Sequence, residues 1–191
     1  MRDESQPSTC GQTSTSRRAF LRGLAATIPT AVLTSPWERL TAAVDKRKLS
    51  FFHTHTHEQM SVVYHADGQL LPNSLGQINH FLRDFRTNEV HEIDPVLLDF
   101  LHSVSAAADY RGTFEIISGY RSPKTNAMLR RTGSGVAKKS LHMQGRAIDV
   151  RMTGVDTKKL RRIAVSMKLG GVGYYPRSNF VHLDTGRVRS W

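Results

Sequence analysis

The chain has 191 residues, a formal net charge of +11 at pH 7 and 39% hydrophobic residues. These values suit one ordinary globular domain with its own core, and they exclude a disordered chain or one embedded in a membrane. Because Cys10 is the only cysteine, an internal disulfide and a thiolate metal site are also excluded. Any metal site must therefore use His, Asp or Glu.

The first 43 residues are predicted to be an export signal. The stretch "STSRRAFLRGLAATIPTAVLTSP" places Arg17 and Arg18 ahead of an apolar segment that is too short to span a membrane. This pattern is typical of a twin-arginine signal, and an amphipathic N-terminal helix is the alternative. We expect residues 44–191 to form a single domain in the periplasm or cell envelope, with peripheral membrane association if the leader is not cleaved.

The first segment of the mature chain contains three alternating histidines in "HTHTHE" (His53, His55 and His57). Alternation predicts a strand with the three side chains on one face. Since same-face neighbours on a strand lie roughly 6.5 to 7 Å apart, three in a row do not converge on one zinc ion. The interpretation favoured by this spacing is a strand with an exposed or cleft-facing row of histidines.

Further elements follow at short intervals. Helices are predicted in "SLGQINHFLRDFR", after Asp94 and Pro95, after Ser122 and Pro123, and in "DTKKLRRIAVSMKL", which should stop at Gly170 and Gly171. Strands are predicted in "SVVYH", "TFEIISGY", "GRAIDVR", "GVGYY" and "NFVHLD". Unequal helices between strands and a terminal hairpin predict an α+β fold, with a largely antiparallel sheet flanked by helices.

The candidate metal ligands lie in the second half. In "SLHMQGRAIDV", His142 precedes a strand that carries Asp149, and small residues between them allow a bend. The later strand "NFVHLD" adds His182. Two histidines and one carboxylate are a standard catalytic zinc set that leaves a fourth position for water.

Three segments, "SGYRSPKTN", "SLHMQGRAIDV" and "FVHLDTG", resemble the D-Ala-D-Ala-type zinc peptidases, whose fold is shared by Hedgehog-like proteins. The segments "LSFFHTHTHE" and "LPNSLGQINHFLRDFRTNEVHEIDPVLLD" resemble the YcbK-like branch, the murein endopeptidases of Gram-negative bacteria. The resemblance covers nearly the whole mature chain. It implies an exported enzyme that hydrolyses amide bonds in peptidoglycan cross-links, and the branch favours the L,D type over the D,D type.

The resemblance also implies roles for individual residues. His142, Asp149 and His182 would ligate one zinc ion, Arg121 would stabilise the oxyanion, and Ser140 would hold the substrate or its loop. Asn179 occupies the position where many relatives carry the acidic general base. Asp184, on the same strand face as His182, is one candidate base, and His55 or His57 is the alternative.

Charge is distributed unevenly along the mature chain. Residues 44–110 contain 5 Lys and Arg against 9 Asp and Glu, whereas residues 111–191 contain 17 against 4. The basic half should attract an anionic partner, for which peptidoglycan stem peptides are favoured over nucleic acid because an exported protein meets little of the latter. Two alternatives stay open: a peptidoglycan-binding module without catalysis, motivated by Asn179, and a basic protein that binds nucleic acid or an anionic surface.

Overall fold

The computed structural model describes residues 46–133 and 136–191. The predicted export signal and Cys10 therefore lie outside the described residues. Within the described ranges, no helix has both the length and the apolar character needed to cross a membrane.

The described chain contains eight strands, four α-helices and two short 3-10 helices. The strands are β1 Arg47–His53, β2 Gln59–Ala66, β3 Gln69–Leu70, β4 Phe114–Ser118, β5 Ala147–Met152, β6 Gly171–Tyr175, β7 Phe180–Asp184 and β8 Arg189–Ser190. The α-helices are α1 Pro72–Phe81, α2 Pro95–Ala107, α3 Pro123–Thr132 and α4 Thr157–Met167. The 3-10 helices cover Leu141–Gln144 and Pro176–Ser178.

All eight strands belong to one sheet, in the order β3-β2-β1-β4-β5-β7-β6-β8. Strand β1 pairs with β4, and β6 with β8, in parallel, and the remaining pairs are antiparallel. Helix α1 contacts β2, α2 contacts β1, and α4 contacts strands β5 to β7. The predicted α+β class and largely antiparallel sheet are therefore confirmed.

At β5 and β7, one face of the sheet packs in the core and the other carries the candidate site. Ile148 and Val150 of β5, with Val181 and Leu183 of β7, are completely buried in the core that α4 covers. Because side chains alternate along a strand, the intervening residues lie on the opposite face. That second face carries Asp149, His182 and Asp184, so core and candidate site are built from the same strands.

Helix α1 is shorter at its end than the sequence predicted. It begins at Pro72 and stops at Phe81, whereas the apolar spacing extended to Phe85. The buried carboxylate of Asp84 accepts hydrogen bonds from the backbone N–H groups of Arg86 and Ser122, both at 2.9 Å. These bonds turn the chain and fix the start of α3, where Ser122 caps the helix as expected.

Helix α4 also ends earlier than predicted. Asp156 caps its start by accepting a hydrogen bond from the Lys158 backbone N–H. Its last residue is Met167, and Lys168 takes the left-handed conformation that was expected of the glycines that follow. Gly170 and Gly171 instead serve the close packing near Asp184.

The prediction that "HTHTHE" is a strand is wrong. Strand β1 ends at His53, and the next residues form a loop closed by hydrogen bonds from the His53 N–H to the Glu58 carbonyl and from the His57 N–H to the His53 carbonyl, both 2.9 Å. The His53 side chain is fully buried, and its Nδ1 accepts hydrogen bonds from the N–H groups of His55 and Thr56. Local hydrogen bonding thus overrides the alternating pattern.

Candidate metal centre

Two neighbouring strands and one short helix bring the three candidate ligands together. Asp149 of β5 lies directly opposite His182 of β7 in the antiparallel register. His142 lies on the 3-10 helix that precedes β5 and ends at Gly145, whose φ is +64°. A side chain at that position would also collide with the Glu92 carbonyl oxygen, so glycine permits both the turn and the close approach.

The donor atoms converge on a single point. His142 Nε2 and His182 Nδ1 lie 3.2 Å apart, and Asp149 Oδ1 lies 2.8 Å from His182 Nδ1 and 3.3 Å from His142 Nε2. Ligand atoms bound tetrahedrally to zinc at about 2.0 to 2.1 Å are separated by about 3.3 to 3.4 Å. In the described part of the chain this is the only group of three or more His, Cys, Asp or Glu side chains placed to hold a metal ion.

Each histidine is held in the tautomer that a metal requires. His142 Nδ1 lies 2.8 Å from the Gly119 carbonyl oxygen, which can only accept, so the hydrogen is on Nδ1 and the lone pair of Nε2 faces the donor set. His182 Nε2 lies 3.0 Å from the carboxylate of Asp184, which leaves the lone pair of Nδ1 on the same side. Nε2 of His142 and Nδ1 of His182 are therefore the two nitrogens that face one point.

The charges of the site favour a cation. Burial would raise the pKa of Asp149, but its contacts with His142 and His182 outweigh burial and hold the pKa well below the usual range. Burial would likewise lower the pKa of His182, yet its hydrogen bonds to Asp149 and Asp184 raise the pKa to about 9. The carboxylates thus hold a positive charge at this point, and a metal ion can take the place of the histidine proton.

Asp184 lies behind His182 and does not face the donor set. Its carboxylate is fully buried and accepts from His182 Nε2 at 3.0 Å, from Arg189 at 2.7 and 3.0 Å, and from the N–H groups of Gly186 and Gly171 at 2.8 and 3.3 Å. A carboxylate whose acceptor sites are all used is not available to take a proton from water. These contacts support Asp184 as an orienting partner of His182 and give no support to the prediction that it is the general base.

Arg121 is a largely buried cation with incomplete pairing. Its backbone N–H donates to the His142 carbonyl at 3.1 Å, which places its side chain beside the donor set. The guanidinium lies 3.6 Å from Asp149 Oδ2, and its Nε has no hydrogen-bond partner among the described residues. Burial lowers the pKa of Arg121, with Asp149 opposing that shift. An under-paired buried guanidinium is suited to a negatively charged oxygen.

The donor set lies in a cavity of about 430 Å³. Arg121, Lys139 and Ser140 line it together with three aromatic residues, Tyr175, Phe180 and Trp191. Ser140 is buried, and its side chain does not cap the short helix that it precedes. Its hydroxyl is therefore not committed to that helix, and its contact with substrate stays a prediction.

A second cavity, larger at about 630 Å³, lies near the beginning of β4. Lys48, His102 and Phe114 are among the residues that line it. Among the described residues it brings no three metal-binding side chains together.

The other residues considered for proton transfer lie elsewhere. The ring of His55 stacks on Phe85 with centroids 4.1 Å apart, and His57 contacts Phe52. Asn179, in the left-handed conformation, accepts a hydrogen bond from Thr157 Oγ at 3.2 Å. None of the three is among the described residues that line the cavity, so the structure gives no support to His55 or His57 as the base.

Sequence analysis missed the aromatic residues of the cavity and their supports. Strand β8 has two residues, too few for a strand pattern, yet it brings Arg189 to Asp184 and Trp191 to within 5.4 Å of the His182 ring. The alternating glycines of β6 were the sequence signal that could have indicated this close packing. A side chain at Gly171 would collide with the Asp184 carboxylate and one at Gly173 with the Trp191 ring.

A donor set of this composition, in a cavity with room for a peptide, is typical of metal-dependent peptidases. The sequence model of the family described as peptidoglycan L,D-endopeptidase MepK matches residues 41–191, and the chain belongs to this family.

Curated relatives agree with this membership. Peptidoglycan L,D-endopeptidase MepK of Escherichia coli strain K12 is 39% identical over 175 residues, which cover 92% of this chain and 96% of the relative. The protein of the same name from Shigella flexneri has the same identity and coverage. The probable peptidoglycan L,D-endopeptidase MepK of Haemophilus influenzae is 44% identical over 146 residues, covering 76% of this chain and 78% of the relative.

Proposed function

We propose that this chain is an exported endopeptidase that hydrolyses L,D cross-links of peptidoglycan, with one zinc ion held by His142, Asp149 and His182. The observation that carries the proposal is the convergence of two histidine lone pairs and one carboxylate beside a buried, under-paired arginine. The names of the relatives in Escherichia coli and Haemophilus influenzae support the choice of substrate.

The side chains of the site have separate roles in amide hydrolysis. When bound, zinc supplies a water of lowered pKa and polarises the scissile carbonyl. The Gly119 carbonyl and Asp184 hold His142 and His182 in their ligating tautomers. Arg121 donates a hydrogen bond to the carbonyl oxygen as negative charge develops on it, since its buried Nε has no partner among the described residues.

The charge around the cavity suits an anionic peptide. Peptidoglycan stem peptides carry free carboxylates, and Lys139 and Arg121 both line the cavity. Ser140 provides a hydroxyl for the peptide backbone at the same opening. Favourable contacts with these groups position the scissile bond over the donor set.

Digestion of purified sacculi tests the proposed activity. The zinc-loaded mature chain should release soluble muropeptides, and analysis of the products should show loss of L,D cross-links while D,D cross-links remain. A protein that binds sacculi but releases nothing would be a binding module, and loss of D,D cross-links alone would assign the other specificity.

We also propose that residues 1–43 direct the folded protein through the twin-arginine route to the periplasm. The supporting observation is "SRRAFL", with Arg17 and Arg18 ahead of the apolar segment. Replacing both arginines by lysine keeps the charge and removes the recognised pair. Cell fractionation should then show the variant in the cytoplasm, and normal periplasmic recovery would refute this route.

A further inference from the structure

The aromatic lining of the cavity includes the partly exposed Tyr175, whose hydroxyl is oriented by the neighbouring Trp191. Tyr175 is the last residue of β6, and its ring stacks on Phe180 with centroids 4.6 Å apart and planes 18° apart. The Trp191 indole N–H donates to the Tyr175 hydroxyl oxygen at 3.1 Å. Stacking fixes the ring, and the indole occupies one acceptor position of the hydroxyl.

Trp191 is itself held firmly against β6. Its backbone N–H donates to the Val172 carbonyl at 3.2 Å, and its carbonyl accepts from the Tyr174 N–H at 2.9 Å. Its ring fills the space that Gly173 leaves open and lies 4.8 Å from the Arg189 guanidinium. The donor that orients the Tyr175 hydroxyl is therefore anchored to β6, the strand that ends at the tyrosine.

The hydroxyl hydrogen of Tyr175 has no protein acceptor among the described residues, although the side chain lines the same cavity as the three candidate ligands. Because the indole already donates to the oxygen, the O–H bond must point elsewhere. Tyr175 and Arg121 line this same cavity together with Asp149 and His182.

We propose that the Tyr175 hydroxyl, oriented by Trp191, donates a hydrogen bond to an oxygen of the bound peptide beside the scissile amide. Tyr175 thus contacts the substrate directly, and Trp191 is a positioning residue that acts through it. This inference rests on the proposed function, because it takes the cavity to be the substrate site.

The test compares Tyr175→Phe with Tyr174→Phe in the full mature chain. Tyr174 is the adjacent residue on the opposite face of β6, where its ring lies 5.5 Å from the Arg161 guanidinium. Tyr174→Phe removes the same hydroxyl group outside the cavity and is therefore a matched control. With a purified L,D cross-linked muropeptide dimer as substrate, kcat/KM of Tyr175→Phe should fall about tenfold or more, as for a lost hydrogen bond to a polar or charged partner. Tyr174→Phe should stay within about twofold of the unaltered chain, and zinc content should be equal in all three.

Trp191→Phe should lower kcat/KM less than Tyr175→Phe does, because the hydroxyl remains but is no longer oriented. The double variant should be no worse than Tyr175→Phe alone if Trp191 acts only through the hydroxyl. Additive losses would assign Trp191 an independent role and contradict the positioning part of the proposal.

Binding to zinc-free protein provides a readout that does not need turnover. Calorimetric titration with the same dimer should show weaker binding by Tyr175→Phe than by the unaltered chain or Tyr174→Phe. Equal binding and equal kcat/KM for Tyr175→Phe would overturn the inference while leaving the endopeptidase proposal intact. Failure of the unaltered chain both to bind and to cleave the dimer would overturn both.

Discussion

Replacement of His142, Asp149 or His182 by alanine is expected to remove stoichiometric zinc and to reduce cleavage of cross-linked muropeptides to the background rate. Each residue supplies one of the three donor atoms that lie 2.8 to 3.3 Å apart, so two donors remain in any single variant. Two ligands hold zinc far more weakly than three. Atomic absorption of the purified proteins and chromatography of the digestion products measure the two losses.

Matched variants separate loss of the metal from loss of the fold. His55→Gln and His57→Gln change exposed histidines outside the cavity, and they should keep both zinc and activity. Asp184→Asn keeps all three ligands but weakens the support of His182, and we expect a tenfold to hundredfold loss of zinc affinity, a typical effect of changing such a partner. Full zinc in His182→Ala, together with loss of zinc in His55→Gln, would reverse the assignment of the ligands.

Replacement of Arg121 by methionine should lower kcat by about a hundredfold to a thousandfold while zinc stays bound, which is the usual cost of losing one donor to an oxyanion. The side chain has no full partner in the structure, since its only carboxylate contact is 3.6 Å long and its Nε is unpaired among the described residues. Its removal should therefore lower kcat strongly while changing the thermal stability of the protein little. Steady-state kinetics and thermal unfolding of the same preparations measure the two effects.

Two further variants sharpen the Arg121 test. Arg121→Lys keeps the charge but loses the planar donor pair, so its kcat should fall between those of the methionine variant and the unaltered chain. Arg162→Met removes an exposed arginine on α4 and should leave kcat unchanged. Equal rates for Arg121→Met and the unaltered chain would show that the oxyanion is stabilised by other groups.

The sequence was sufficient to predict where the candidate ligands meet. His142, Asp149 and His182 are separated by bends and strands whose patterns are clear, and the terminal hairpin was expected from "GVGYY" and "NFVHLD". The helix N-caps at Asp94 and Ser122 could likewise be predicted, because a side-chain oxygen immediately ahead of a proline is a strong signal that a helix begins. Local patterns of this kind depend little on distant residues.

The features that could not be predicted from the sequence are those that depend on contacts between residues far apart in the chain. The position of Asp184 two residues after His182 correctly predicted a shared strand face, but the sequence did not show that Arg189, Gly171 and Gly186 surround the carboxylate. The alternating histidines predicted a strand, whereas hydrogen bonds across the loop and the burial of His53 end it. Tyr175 and Trp191 escaped notice because only the pairing of β8 with β6 brings them together.

Zinc titration of the metal-free protein tests most directly the claim that one ion at His142, Asp149 and His182 supports cleavage. Protein stripped by a chelator is titrated with zinc while cleavage of a purified L,D cross-linked dimer is followed. We predict no cleavage without metal, a linear rise in rate up to one equivalent of zinc, and no further rise beyond it. Undiminished cleavage by the metal-free protein, or a rate that reaches its plateau only at two equivalents, would contradict a single catalytic ion at these three residues.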